Sequence, residues 1–136
     1  MSYNLKQIKD APTADIEIKD PETGAGLGVF FTMAGPEHPT TRALEMARQR
    51  RMREGIKKTG QLEFGDPEED EADAREALSM RTLGWRGYVD AGGQDVAFSA
   101  AAARSLMADA DLGWLRVQLQ AAVNERKRFI TRSVQG

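Results

Sequence analysis

The segment LGWRGY at residues 83–88 opens the part of the chain around which we expect the fold to be organised. Residues 89–129 complete this part with a Gly92-Gly93 turn, the run VAFS at residues 96–99, and a segment around Trp114 that ends at Phe129. Both tryptophans and two of the five phenylalanines lie here. Because aromatic side chains carry the largest apolar area per residue, we expect the core to be anchored in this part, with the rest of the chain packed onto it.

The same part predicts a short β-hairpin followed by helices. Residues 84–98 have apolar and aromatic residues on both sides of a turn that contains Gly92 and Gly93, which is typical of a tight hairpin. Ser99 can cap the first helix, and Asp109 or Asp111 can cap the second. Between Leu112 and Ile130, apolar residues recur at the three-and-four spacing of an amphipathic helix. We therefore expect C-terminal helices over residues 99–130.

Length and composition restrict the class of protein. The chain has 136 residues, of which 40% are hydrophobic, so it is long enough for one domain with a sizeable core. It has no cysteine, which excludes disulfides and thiolate metal sites and suits the cytoplasm. No apolar run approaches the roughly 20 residues that span a bilayer, and no apolar segment follows the N-terminus as in a signal peptide. We expect neither membrane insertion nor secretion.

The N-terminal region predicts a flexible leader and a β-hairpin. Residues 1–13 are mostly polar, so we expect a mobile or loosely docked leader. Residues 14–19 alternate apolar and charged side chains, DPETG at residues 20–24 has turn chemistry, and residues 28–33 can return as a second strand. The G-x-G-x-G run at residues 24–28 lacks the following helix and lysine of a phosphate-binding loop. We interpret it as the loop of a hairpin over residues 14–33.

The middle of the chain predicts a helical hairpin with segregated charge over residues 40–83. A first helix can start at Thr40 or Thr41 and run to Lys58, and a second can start at Asp66-Pro67. The first carries seven basic residues against Glu45 and Glu54, and residues 63–76 carry eight acidic residues against Arg75. Exposed ion pairs contribute about 0 to 1 kcal/mol each, so this complementarity would set orientation more than stability. The expected fold class is therefore α+β, mainly α, in one small domain.

No arrangement of residues predicts catalysis, a metal or a cofactor. His38 is the only histidine and lies in a turn between Glu37 and Pro39. The acidic residues 68–73 lack the spaced oxygen ligands and turn glycine of a calcium loop. We expect that the protein is not an enzyme and has no cofactor.

The basic residues between Arg42 and Lys58 raise the alternative of nucleic-acid binding through phosphate contacts. This segment has no aromatic residue for base stacking, and the acidic segment that follows competes for the same charges. The net charge of the chain is −2. The pattern therefore favours a basic surface, including Arg50 and Arg51, that meets a protein partner or is neutralised within the chain.

Several blocks of the sequence resemble one known family. In order, they are DPETG (20–24), VFFT (29–32), AGPEHP (34–39), ARQRR (47–51), LGWRG (83–87), GGQ (92–94), VAFS (96–99) and WLR (114–116), followed by Arg126 and Phe129. They are similar to blocks of the tail assembly chaperones of long-tailed bacteriophages and prophages, over about residues 13–130. One block departs from the family pattern, because Val96 and Ala97 stand where a proline is expected before Phe98.

The resemblance implies a non-enzymatic protein of viral morphogenesis that acts in the cytoplasm of the infected bacterium. Such chaperones coat the long, aggregation-prone tape measure protein, recruit tail tube subunits around it, and are absent from the mature virion. The resemblance leaves self-association open. Two alternatives also stay open: a structural tail subunit that remains in the virion, and a small nucleic-acid-binding protein that uses the basic helix over residues 42–58.

The partner-binding candidates combine exposed cations with large apolar side chains, because an amphipathic surface with charged flanks can cover apolar stripes of a helical partner reversibly. For Trp85, Phe98 and Trp114 a position in the core is the favoured interpretation. The candidates are Arg50, Arg51, Trp85, Tyr88, Phe98, Trp114, Leu115 and Phe129.

Overall fold

A computed structural model describes residues 2–61 and 66–133 of the chain. The fold is α+β, with an N-terminal β-hairpin and C-terminal helices, which confirms the predicted class. Short 3₁₀ turns occur at Leu5–Gln7, Ala110–Leu112 and Arg126–Phe129. The strands are β1 (Ile8–Asp10), β2 (Thr13–Lys19), β3 (Gly26–Ala34), β4 (Thr82–Arg86) and β5 (Ile130–Arg132); the helices are α1 (Pro39–Thr59), α2 (Pro67–Arg81), α3 (Ala100–Ala108) and α4 (Gly113–Asn124).

The N-terminal hairpin forms as the alternation predicts. β2 and β3 pair antiparallel with Ile16 opposite Phe31, so that alternate side chains of both strands point to the same face. Asp20 closes the turn, because its Oδ1 accepts hydrogen bonds from the amides of Glu22 (2.8 Å) and Thr23 (3.1 Å). One face of the hairpin thereby becomes part of the core.

The segment after α2 joins this hairpin as a third strand. β4 pairs antiparallel with β3, with Trp85 opposite Phe31, so the sheet order is β2-β3-β4. The hairpin predicted over residues 84–98 forms only around its turn, where Val89 bridges Asp95 and the amides of Asp90 and Val96 donate to the carbonyls of Gln94 (2.9 Å) and Tyr88 (3.0 Å). β4 pairs with β3 and not with residues 94–98, because β3 is the longer apolar strand. The chain then turns away at Gly87, which has φ +79°.

The N-terminal leader is more ordered than the sequence predicts. β1 pairs antiparallel with β5, and Ala11 donates its amide to the carbonyl of Phe129 at 2.7 Å. Arg126 adds an ion pair to Asp10 at 3.0 Å. The expected flexible leader over residues 1–13 is therefore corrected for residues 8–10, whose strand partner is more than a hundred residues away in the chain and leaves no local signal.

The core lies between the inner face of the three-stranded sheet and the C-terminal helices. Its members include side chains from β2, β3, α2, α3 and α4. The helical pattern predicted up to Ile130 ends earlier, because α4 stops at Asn124 and a 3₁₀ turn carries Phe129 into the core before β5 begins. The largest fully buried side chains are Ile18, Phe31, Met33, Met107, Leu119 and Phe129.

Within residues 2–61 and 66–133, no helix combines the length and apolar character that a membrane crossing requires.

Candidate partner-binding cleft

Helix α1 stands almost entirely on the surface of the protein. The structure describes all 21 of its residues, and none of them is buried. At about 1.5 Å per residue the helix is about 30 Å long. It begins with His38, whose Nδ1 accepts the amide of Thr40 at 3.1 Å, and Pro39 occupies the first turn, so the N-cap is this histidine and not the predicted Thr40 or Thr41. A helix of this length with no buried residue leaves its apolar side chains available.

Helix α2 is attached to the core only near its C-terminal end. Asp66 caps it through a hydrogen bond from the Glu68 amide (3.0 Å), and Leu78 and Ser79 are its buried residues. The guanidinium of Arg81 donates from Nε (3.1 Å) and Nη2 (2.9 Å) to the carbonyl of Ala34. Burial lowers the pKa of Arg81. This arginine therefore fixes the end of α2 to β3, while the acidic half of α2 stays exposed.

An open cleft of about 780 Å³ runs between α1 and α2. It extends from Thr41 to Thr59 along α1 and from Asp70 to Arg81 along α2. The α1 residues that line it recur every three to four positions, which places them on one face of the helix. They are Thr41, Leu44, Glu45, Arg48, Arg51, Met52, Gly55, Ile56 and Thr59; the α2 lining consists of Asp70, Asp73, Ala74, Glu76, Ala77, Met80 and Arg81.

Several side chains that line the cleft are apolar and accessible to solvent. Met52 is 40% exposed and Ile56 is 43% exposed on α1, and Met80 is 46% exposed on α2. Leu44 and Ala77 also line the cleft. Methionine adapts its shape to irregular surfaces, which suits a binding surface more than a rigid core.

The two walls of the cleft carry opposite charge without neutralising each other. Arg48 and Arg51 line the α1 wall, and Asp70 and Asp73 line the α2 wall. In the part of the chain that the structure describes, no ion pair links α1 to α2. Instead, Arg48 pairs with Glu45 at 3.4 Å within α1, Arg75 pairs with Glu71 at 3.1 Å within α2, and Glu76 pairs with Arg104 of α3 at 3.1 Å. The complementary pairs expected between the two helices are thus not observed among these residues.

The aromatic candidates form a separate cluster on the sheet. The ring centroid of Trp85 lies 5.4 Å from Phe31, 5.4 Å from Tyr88 and 4.9 Å from Phe98. The Trp85 indole Nε1 donates to the carbonyl of Val96 at 2.8 Å, which fixes the loop after β4 against the sheet. Trp85 and Tyr88 pack against the core, so this cluster stabilises the fold.

The structure separates the predicted partner-binding residues into three groups. Arg50 and Arg51 are exposed on α1, but only Arg51 lines the cleft. Trp85, Tyr88 and Trp114 are half-buried, and Phe98 is 37% exposed at the edge of the aromatic cluster.

Leu115 and Phe129 are buried, at 5% and 0% exposure, and this corrects the expectation that they contact a partner. Their spacing on an amphipathic helix indicated an apolar face, but such a face packs equally well inside the same chain.

Met52, Ile56 and Met80 were not among the predicted contacts. The thin apolar stripe on α1 was the available signal for the first two, and the surrounding arginines made it resemble a solvated surface. Met80 follows the acidic half of α2, and its exposure depends on the position of α1, which the local sequence does not encode.

Among the described residues, no group of three or more acidic or histidine side chains is arranged to hold a metal ion. His38 is already engaged as the cap of α1.

Comparisons of this chain with protein-family models, with curated proteins and with solved structures find no match.

Proposed function

We propose that this chain is a non-enzymatic bacteriophage tail assembly chaperone that binds the tape measure protein, keeps it soluble and helps to recruit tail tube subunits. Two considerations support the proposal: the resemblance of the sequence blocks to that family, and the open cleft between α1 and α2. The cleft is the observation that carries it, because its exposed apolar side chains have charged neighbours on both sides. Its site of action would be the cytoplasm of the infected bacterium.

The chemistry of the cleft suits reversible binding to a helical client. Complete burial of a methionine or isoleucine side chain contributes about 1.5 to 3 kcal/mol. Met52, Ile56 and Met80 are already partly covered, so each would gain only part of that amount on binding. A chaperone must release its client before the tail is complete. Partial burial of these side chains gives moderate affinity, which allows the client to dissociate.

The acidic wall favours a protein client over a nucleic acid. Asp70 and Asp73 line the same cleft as Arg51, so a phosphate backbone entering there would meet negative charge. An amphipathic helix can instead place a complementary side chain against each wall.

The test is co-expression with the tape measure protein encoded nearby, followed by pull-down and a comparison of soluble yield. We expect the tape measure protein to become soluble and to co-purify with this chain. Met52→Glu should abolish both effects, because it replaces an apolar contact of the cleft with a charge. Met46→Glu is the matched control, since Met46 is 44% exposed on the same helix and does not line the cleft.

Failure of the wild-type chain to bind or solubilise the tape measure protein would contradict the proposal. Equal effects of the two methionine variants would show that the cleft is not the binding surface. Analysis of purified virions separates the chaperone from a structural subunit, because a structural subunit would be present in a fixed copy number.

A further inference from the structure

We infer that the cleft between α1 and α2 recognises a single amphipathic α-helix with acidic side chains along one flank and basic side chains along the other, and that the opposite charge of its walls sets the direction of that helix. The inference deepens the proposed function and rests on it for the identity of the client.

The shape of the cleft fits one helix lying along it. The lining of α1 extends from Thr41 to Thr59, which corresponds to about 27 Å at 1.5 Å per residue. A third helix that packs between two helices forms the familiar helix-in-groove arrangement, with apolar anchors at three-and-four spacing. The lining residues supply the complementary apolar stripe through Leu44, Met52 and Ile56 on one side and Met80 on the other.

The charges of the walls specify the flanks of the occupant. Within residues 2–61 and 66–133, Arg51 on the α1 wall and Asp70 and Asp73 on the α2 wall have no ion-pair partner. The other charges of the lining already have partners: Arg48 pairs with Glu45 within α1, Glu76 pairs with Arg104 of α3, and Arg81 donates to the carbonyl of Ala34. An occupant therefore meets positive charge from α1 and negative charge from α2.

A second copy of this chain is a poorer occupant than such a helix. α1 carries seven basic residues and two acidic ones, and α2 carries six acidic residues and two basic ones. A helix of predominantly one sign satisfies one wall and is repelled by the other. The charge pattern thus points to a client whose helix carries both signs on separate flanks.

Direction follows from geometry. Reversing a helix end to end within a cleft, with its apolar face kept on the floor, exchanges the two flanks. In one direction the acidic flank meets α1 and the basic flank meets α2; in the other direction both flanks meet charge of their own sign. Exposed ion pairs are individually weak, so we expect about a tenfold preference at low salt that decreases as salt screens the charges.

The experiment uses the full chain and designed peptides of about 18 residues that share one leucine stripe. The first has glutamates on one flank and lysines on the other, the second has these flanks exchanged, and two more have glutamates or lysines on both flanks. Fluorescence anisotropy gives the affinity at low and high salt. A spin label at the peptide N-terminus, read through signal broadening near Thr41 or near Thr59, gives the direction.

We expect the two mixed peptides to bind about tenfold more tightly than either single-sign peptide at low salt, and to lie in opposite directions. Arg51→Glu should reduce the preference for the mixed peptides. Arg50→Glu is the matched control, because Arg50 is an adjacent exposed arginine that does not line the cleft. It should leave the preference unchanged.

Three results would overturn the inference: tightest binding of a single-sign peptide, the same direction for both mixed peptides, or self-association that excludes all four peptides and is abolished by Met52→Glu. The last result would assign the cleft to a second copy. If the tape measure protein is kept soluble while the peptide results fail, the inference falls and the proposed function stands. If the mixed peptides behave as expected but the tape measure protein is not bound, the proposed function falls instead.

Discussion

Helices α1 and α4 are both amphipathic, but the fold uses them in opposite ways. α4 has 12 residues and buries Leu115, Leu119, Ala122 and Val123. α1 has 21 residues and buries none of them. The apolar stripe of α4 is buried in the core of the protein, whereas the apolar stripe of α1 lines an open cleft. A helical apolar stripe therefore predicts a contact surface, but it does not show whether the other half of that contact belongs to the same chain.

Composition explains part of this difference. The stripe of α4 consists of aliphatic residues that can pack closely against the sheet. Along α1, Arg48 and Arg51 alternate with Leu44 and Met52 on the same face, and arginine is rarely buried without a partner. A core would have to desolvate these guanidinium groups, while a cleft at the surface leaves them in water.

The largest expected effect comes from truncating the two stripes. Leu119→Ala should lower the free energy of unfolding by about 2 to 5 kcal/mol, because Leu119 is fully buried and its removal leaves a cavity. Met52→Ala on α1 should cost less than about 1 kcal/mol, since its side chain is 40% exposed. Urea unfolding followed by circular dichroism measures both. Similar losses for the two variants would show that α1 is part of the cooperative core.

A second pair of variants compares glycines with the same backbone conformation in the two regions. Gly60, which ends α1, has φ +74°, and Gly87, which follows β4, has φ +79°. Alanine in this conformation costs about 1 to 2 kcal/mol at either position. At Gly87 the new methyl group would also collide with the carbonyl oxygen of Gly28, whereas at Gly60 it meets none of the described atoms.

We therefore expect Gly87→Ala to cost about 1 to 3 kcal/mol more than Gly60→Ala. Thermal and urea unfolding of the two variants provide the comparison. Equal costs would mean that β3 moves at Gly28 without loss of stability. The close approach of Gly28 and Gly87 would then not be required for the stability of the fold.

The same contrast explains which parts of the fold the sequence predicts. The hairpin of β2 and β3 is encoded locally, by alternation in residues 14–19 and by the turn at Asp20, and the structure confirms it. The pairing of β4 was predicted incorrectly from the local pattern. The sequence placed Trp85 in a local hairpin, but Trp85 lies opposite Phe31, which is distant in the chain. The sequence does not predict β1 for the same reason, because its partner β5 lies at the other end of the chain. Local pattern identifies the strands of the β2–β3 hairpin, but it gives neither the partner of β4 nor the existence of β1.

The candidate site could be predicted only in part. Arg51 was identified from the basic run, and it does line the cleft. The prediction that Leu115 and Phe129 contact a partner is wrong, because large apolar side chains of this kind are buried in the core of the same chain. The sequence did not predict the exposed methionines of the cleft as contacts. A sparse apolar stripe among arginines has the same pattern whether it faces solvent or a partner.

A third pair of variants tests whether α1 unfolds independently. His38 caps α1 through a hydrogen bond of 3.1 Å, and Ser99 caps α3 through one of 3.0 Å from the Ala102 amide. Removal of an N-cap costs about 0.5 to 2 kcal/mol. In His38→Ala this loss should appear as faster hydrogen exchange confined to α1, because a helix with no buried residue can open without disturbing the core.

In Ser99→Ala the corresponding loss should lower the global free energy of unfolding, since α3 contributes Ala103, Leu106 and Met107 to the buried set. Hydrogen exchange and urea unfolding on both variants separate the two outcomes. A global loss in His38→Ala, equal to that in Ser99→Ala, would indicate that α1 and the core unfold together.

The smallest expected effect concerns charge, and it again separates the sheet from the cleft. On the sheet, Asp15 accepts hydrogen bonds from the Thr32 hydroxyl (2.7 Å) and from Nη1 of Arg86 (2.7 Å). These bonds, that of Thr32 first, hold the pKa of Asp15 below its ordinary value in the folded protein. The carboxylate therefore stabilises the fold fully above the unfolded pKa of about 4, and this contribution disappears as the pH falls through the lower folded pKa.

Asp15→Asn should accordingly be less stable than the wild type at pH 7, and the difference should be smaller at pH 2. The Asp15 side chain is 46% exposed, so solvent screening limits the difference to less than about 1 kcal/mol. Asp73→Asn is the control from the cleft, because Asp73 has no ion-pair partner among the described residues. Urea unfolding midpoints at both pH values should show a pH-dependent loss for Asp15→Asn alone. The same loss in Asp73→Asn would mean that the charge of the acidic wall stabilises the fold, and does not serve client binding alone.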